Sequence, residues 1–362
     1  MPRRHERKLA VRRRLVDDGG HVAFTVVSRL VRVATYNASL NRPAAGQLAA
    51  ELAEGTDPHL LAAAEVIQRA APDVLLVNEV DHADGNAEAL RDVLAVGRGG
   101  AAAVDYPYVF SAPVNTGEPS GLDLDGDGRT DGPGDAWGFG AFSGQYGMVV
   151  LSRFPLDASA VRTFRLFRWA DQPDSLLPRE HYGANADALR LSSKSHWDVP
   201  VTIGERTVHL LASHPTPPTF DGPEDRNGRR NHDEIRFTVD YLAGATYPVD
   251  DAGVAGGLAD DVSFVVLGDQ NADPEKGDSY PGAIDRLLTA PRVRDPRPAS
   301  AAHGTDTADF GPRVGRLRVD YVLPSDDLEV TGSGVFWPAP GEPGADVITA
   351  SDHRPVWVDL RV

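Results

Sequence analysis

From Val31 onward the chain alternates short apolar runs with helical stretches and long polar loops. Val31-Arg-Val-Ala-Thr-Tyr36 reads as a strand and Asp73-Val-Leu-Leu-Val77 as a buried one, because both are short and rich in branched residues. The same signature predicts strands at residues 147–152, 199–203, 207–213, 262–267, 318–323 and 355–360. Helical spacing with an Ala/Leu face covers residues 47–70, a second helix is predicted over 86–96, and two more near 231–243 and 283–289. Three long segments, 115–143, 170–193 and 215–231, are rich in Gly, Pro and Asp, and connections of that length inside a compact domain usually carry function. No repeat of fixed period and no Pro/Ser linker divides the chain. The pattern therefore predicts a single α/β domain over residues 31–362, enlarged by its loops.

Composition narrows this picture. The chain has 362 residues, of which 41% are apolar and 25% charged, enough for a large core. It has no cysteine, which excludes disulfides, thiol nucleophiles and thiolate metal sites, so any metal must sit on oxygen or imidazole. No run approaches the ~18 uninterrupted apolar residues of a membrane span. Residues 1–30 begin with a cluster of arginines, but Asp17, Asp18, Gly19, Gly20 and His21 interrupt what would be the apolar core of an export signal. They read as a basic, disordered leader, and secreted and cytoplasmic locations both stay open. The net charge is −17, with a local +6 in the first 14 residues, so the body carries about −23. Such a body repels polyanions at long range, which disfavours nucleic acid as a passively bound partner. Cations are almost all arginine; the lysines are Lys8, Lys194 and Lys276.

Candidate chemistry gathers at strand ends. Thr35-Tyr-Asn37, Asn78-Glu79, Ser213-His214, Gly268-Asp-Gln-Asn271 and Ser351-Asp-His353 each end or closely flank an apolar run, and Asp320 lies inside the strand at 318–323. Any one of these is an ordinary turn residue. In series they offer two imidazoles and several carboxylates or amides to one rim of a sheet, which points to a metal-dependent hydrolase. A Gly-x-Ser-x-Gly elbow and a Gly-x-x-x-x-Gly-Lys-Ser/Thr loop are both missing from the sequence.

This ordered set resembles the endonuclease/exonuclease/phosphatase superfamily of deoxyribonuclease I-like phosphoesterases. The motifs are Asn37, Glu79, Tyr146-Gly147, His214, Gly268-Asp269-x-Asn271, Asp320-Tyr321 and Ser351-Asp352-His353, in family order across about nine-tenths of the chain. Departures are small: Asn78 stands where a Gln often precedes the metal Glu, and Gln270 where an apolar residue is common. The resemblance implies a four-layer α/β sandwich, two mixed β-sheets face to face with helices outside. It further implies a divalent cation, Mg²⁺ or Mn²⁺, held by Glu79 with Asn37 and Asp352 in support. Asp269 would orient or deprotonate the attacking water and Asn271 would bind a phosphate oxygen. Asp320 would orient His353, and His214 would contact the phosphate and protonate the leaving oxygen. A phosphate ester is the implied substrate, cleaved by in-line water attack; a nuclease of the same fold and a non-catalytic, calcium-stabilised binding module are the alternatives.

Two insertions and one basic–aromatic stretch add candidates. Asp123-Leu-Asp125-Gly-Asp127-Gly-Arg-Thr-Asp131 places carboxylates at positions 1, 3, 5 and 9, as a Ca²⁺ loop does, although Gly134 stands at position 12 with Asp135 after it. Arg226, Arg229 and Arg230 follow His214 within an otherwise acidic body and are candidate phosphate ligands, with salt bridging to neighbouring carboxylates as the plainer reading. Arg162-Thr-Phe164-Arg165-Leu-Phe167-Arg168-Trp169 interleaves basic and aromatic residues, the pattern of a base-stacking surface or of a strand with one solvated face.

Overall fold

A computed structural model describes residues 29–362, so the basic leader expected at 1–30 lies, but for its last two residues, outside the described residues. Among the described residues thirteen strands are formed: β1 (Leu30–Asn37), β2 (Val74–Asn78), β3 (Tyr108–Phe110), β4 (Met148–Ser152), β5 (Arg162–Thr163), β6 (His196–Ile203), β7 (Arg206–Ser213), β8 (Ser263–Asp269), β9 (Ala308–Asp309), β10 (Arg316–Leu317), β11 (Asp320–Pro324), β12 (Glu329–Val335) and β13 (Val356–Arg361). The helices are α1 (Gln47–Glu54), α2 (Pro58–Ala70), α3 (Asn86–Leu94), α4 (Arg179–Tyr182), α5 (Arg226–Leu242), α6 (Ala283–Leu288) and α7 (Gly311–Val314). Strands assemble into a six-stranded sheet, β12-β13-β1-β2-β4-β3, a five-stranded sheet, β11-β8-β7-β6-β5, and a short β9-β10 ribbon. Both large sheets are mixed, with β1–β2 and β7–β8 parallel and their other neighbours antiparallel.

The period-two alternation of side chains explains the layering. Val31, Val33, Val74, Leu76, Met148 and Val150 of the first sheet meet Val199, Leu210, Ala212, Val265, Leu267 and Val322 of the second in one apolar layer. Their alternate neighbours Ala34, Tyr36, Leu75, Val77, Val149 and Leu151 turn outward against α1, α2 and α3. On the far side Leu211, Phe264, Val266, Tyr321 and Leu323 pack against α5 and α6. Central strands are thus buried on both faces, which is why 73–77 and 262–267 read as unbroken apolar runs. The result is the four-layer α/β sandwich that the resemblance implies.

Three expectations shift. The single helix expected at 47–70 is two, because Gly55 closes α1 at φ 64° and Asp57 caps α2 by accepting Leu60 N–H at 2.8 Å ahead of Pro58. Helix α5 begins at Arg226 and takes in the arginine segment expected to be loop. The segment 162–169 is a strand only at Arg162–Thr163, and Phe164, Phe167 and Trp169 are buried against α5, so they are not available to stack a base.

Candidate functional site

Parallel pairing within each sheet sends the C-termini of β1 and β2, and of β7 and β8, to one rim of the sandwich. Antiparallel β11 begins at that rim, with Asp320 directly opposite Asp269 in register. Residues 351–353 arrive there just before β13, tied down where Ser351 Oγ donates to Asn37 O at 2.8 Å. The strand-end residues singled out in the sequence therefore converge.

At the centre is the carboxylate of Asp269. Its Oδ2 accepts Asn37 Nδ2 at 3.1 Å and faces His214 Nε2 at 3.4 Å and His353 Nε2 at 3.6 Å. The same Asn37 amide reaches Glu79 Oε1 at 3.0 Å, so one side chain bridges the two acids. Asn271 N–H donates to Asp269 Oδ1 at 2.9 Å, while its own amide donates to Pro215 O at 3.0 Å. Asp320 Oδ2 accepts from His353 Nδ1 at 2.9 Å and from Thr307 Oγ1 at 2.8 Å, and Asp320 Oδ1 is buried without a partner among the described residues. Asp352 is exposed, its Oδ1 3.9 Å from His353 Nε2.

The backbone is shaped for this. Glu79 and Asn271 adopt left-handed conformations, φ 60° and 51°, immediately after their strands. Sparsely populated backbone held at such points is typical of functional sites. Gly268 has φ 141°, and a Cβ there would sit 2.0 Å from Ser213 O, so only glycine lets β8 approach β7 where Asp269 must turn into the site.

Charge separates the two histidines. Burial opposes ionisation of Asp269, but the imidazoles of His353 and His214 hold its carboxyl well below the usual carboxylate range. Burial also disfavours a charged His353, yet Asp320 and Asp269 overcome it and push the imidazole up to about 10. Burial, followed by the charge of Lys194, moves His214 the other way, below its ordinary value. One imidazolium and one neutral imidazole thus flank a single carboxylate, a pairing suited to stabilising charge on one side and moving a proton on the other.

A divalent cation fits the donor set. Glu79 is half-buried; its oxygens accept only the amides of Asn37 and of Asn41, the latter at 2.8 Å, and no cationic side chain pairs with it among the described residues. Oxygen and imidazole donors without thiolates suit a hard ion. Asp269, Asp320 and His353 also place one ligand atom each within 4.8 Å of one another, but the 2.9 Å hydrogen bond between His353 and Asp320 makes that trio read better as a proton-bearing dyad beside a carboxylate.

The insertion candidates are engaged in other ways. Arg230 donates to the carbonyls of Leu191, Trp137, Arg190 and Ser192, and Arg226 to Glu224 and Phe220 O, so both guanidiniums are committed within the protein. Arg229 is partly buried, with an unpartnered Nε among the described residues. In the acidic loop, Asp123 and Asp125 come together with Asp135, whereas Asp127 and Asp131 remain exposed and Asp131 pairs with Arg129. Sequence reasoning missed Asn41, Thr307 and Lys194. The first two are short polar residues in loops, without a motif of their own. Lys194, a lone lysine in a chain of arginines just ahead of a strand, was the one visible signal.

Comparison with known proteins agrees with the geometry. The model of the Endonuclease/Exonuclease/phosphatase family matches residues 34–353. No curated protein sequence matches the chain. Among solved structures, an endonuclease/exonuclease/phosphatase protein from Beutenbergia cavernae aligns over 92% of this chain and 72% of its own at 21% identity and a TM-score of 0.53. Family proteins from Bacteroides thetaiotaomicron, TM-score 0.51 with 92% and 98% covered, and Leptotrichia buccalis, TM-score 0.50 with 92% and 100% covered, align at 13% identity. At these identities the likeness shows the fold.

Proposed function

The chain belongs to the endonuclease/exonuclease/phosphatase family, and from that premise we propose that it hydrolyses phosphate esters with a divalent cation, Mg²⁺ or Mn²⁺, by in-line attack of water. The observation that carries this reading is Asp269, buried between His214 and His353 and linked through Asn37 to the unpaired Glu79. Glu79, with Asn37 and Asp352, would hold the cation. When bound, it would neutralise charge on the phosphoryl oxygens as the P–O bond breaks.

The chain's own residues do the rest. Asp269 accepts a hydrogen bond from the attacking water and aligns it with the phosphorus. His353, kept protonated and oriented by Asp320, donates to a non-bridging oxygen. The proton Asp269 takes from the water passes to His214, whose Nε2 lies 3.4 Å away, and His214 delivers a proton to the leaving oxygen, while the Asn271 amide contacts the phosphoryl group. The acidic body favours small or lipid-like phosphate esters over nucleic acid.

A panel of p-nitrophenyl phosphate, bis-p-nitrophenyl phosphate, sphingomyelin, inositol phosphates, nucleotides and plasmid DNA tests this. Turnover of a small ester should vanish with EDTA and return with Mg²⁺ or Mn²⁺. Turnover indifferent to chelation defeats the proposal, and cleavage of plasmid DNA alone replaces it with a nuclease.

A further inference from the structure

Lys194 is 6% exposed, and its ammonium makes no hydrogen bond and no ion pair among the described residues. Nearly burying a charge without a partner is costly, and the Nζ of Lys194 is not itself enclosed, so the ammonium opens to the surface. Its neighbours do not relieve it. Glu234 is the first anion to influence it, but that carboxylate already accepts Ser193 N–H at 2.7 Å, Ser193 Oγ at 3.1 Å and Thr216 N–H at 2.6 Å. The flanking residues are fixed: Asn115 N–H donates to Lys194 O at 2.9 Å, and Ser193 and Ser195 are buried on either side. The backbone on either side of the lysine is therefore fixed.

Its location is equally defined. In the β6–β7 ladder His196 pairs with Ser213, so Lys194 lies two residues beyond the end of the ladder on the side where β7 runs into His214. Burial pulls the ammonium below its ordinary range, and Glu234, Glu79 and Asp269 push it back. His214 in turn senses the lysine's charge. The contrast with Lys276, a surface lysine bonded to Asp306 at 2.6 Å and Arg316 O at 2.7 Å, shows what an ordinary lysine of this chain does.

We propose that Lys194 is a phosphate-binding residue, its unpaired ammonium donating to a non-bridging oxygen of the phosphoryl group held between His214 and Asp269. This inference rests on the phosphoester-hydrolase reading and deepens it. A compact ammonium on a flexible stem binds phosphate as a point charge. The substrate would supply the counter-charge that the folded chain withholds, and a monoester dianion would gain more from it than a diester monoanion.

Having three lysines makes the test direct. The full-length protein is grown on lysine labelled with ¹³C at Cε, the three signals are assigned with Lys8→Arg and Lys276→Arg, and Mg²⁺-loaded protein is titrated with inorganic phosphate. The Lys194 signal should shift and saturate while the other two stay still. A Lys194 signal that does not move while phosphate binds by calorimetry overturns the proposal. In parallel, Lys194→Met should weaken phosphate binding and lower kcat/KM for p-nitrophenyl phosphate about a hundredfold, with a smaller loss on bis-p-nitrophenyl phosphate. Equal kcat/KM for variant and wild type also overturns it. The two readings fail separately: wild-type protein that hydrolyses no ester while Lys194 still answers phosphate sinks only the hydrolase reading, and active protein with a silent Lys194 sinks only this one.

Discussion

His214 and His353 flank the same carboxylate, yet their surroundings set them to opposite charge states. Nothing but burial and neighbours distinguishes them: His353 has Asp320 on Nδ1 at 2.9 Å, whereas His214 Nδ1 has no partner among the described residues and Lys194 nearby. The pH dependence follows. Folding raises the His353 pKa from an ordinary value of 6.5 to about 10, so its contribution to stability is complete below about pH 6.5 and is lost as pH rises through 10. Hydrolysis that needs the imidazolium should fall along the same alkaline limb. Asp320→Asn removes the carboxylate that holds the proton, so the limb of kcat against pH should move toward neutrality and the rate at pH 8 fall about a hundredfold. An unshifted limb in that variant would show that the dyad does not set the proton. At this scale the sequence was informative where a residue belonged to a motif, as Asp269, Asn271, Asp320 and His353 do. It marked Lys194 only as a lone lysine among arginines, because its proposed role depends on the absence of a partner, a property no linear pattern carries.

Among the elements, strand β8 decides whether a site forms. It delivers Asp269, pairs in register with Asp320 of β11, and must pass close to Ser213 at Gly268. Gly268→Ala introduces a Cβ 2.0 Å from Ser213 O at a φ of 141°, so one of the two strands has to move. Chemical denaturation should show a loss of about 2–3 kcal/mol, and an alanine variant with the wild-type midpoint would mean the turn relaxes freely. Buried strands were legible because apolar residues fill both faces. Those that escaped lack such a pattern. β12 carries Gly332 and Gly334, the second so close to the Trp357 ring that a Cβ would sit 2.7 Å from it, and β3 is three residues long at a sheet edge. The start of α5 was hidden differently, since Arg226–Arg230 has no apolar period and the helix instead buries Asn231, His232, Asp233 and Glu234.

For the whole molecule, the −17 charge first reads as a bar to polyanions, and the structure shows where part of that excess is placed. Glu79, Asp269, Asp320 and Asp352 share one rim, where the His353 imidazole lies 2.9 Å from Asp320 and 3.6 Å from Asp269. The long loops account for the rest of what the sequence left open. Their composition marked them as functional, but where they fold depends on contacts such as Arg230 with four carbonyls, which only the tertiary structure supplies. The central claim is that Asp269 serves a cation-assisted attack of water on phosphorus. The most direct measurement is kcat/KM for bis-p-nitrophenyl phosphate with saturating Mg²⁺ in Asp269→Asn, alongside its thermal midpoint. The value should fall about a thousandfold in a protein that remains folded. A folded variant that hydrolyses the diester at the wild-type rate would contradict it.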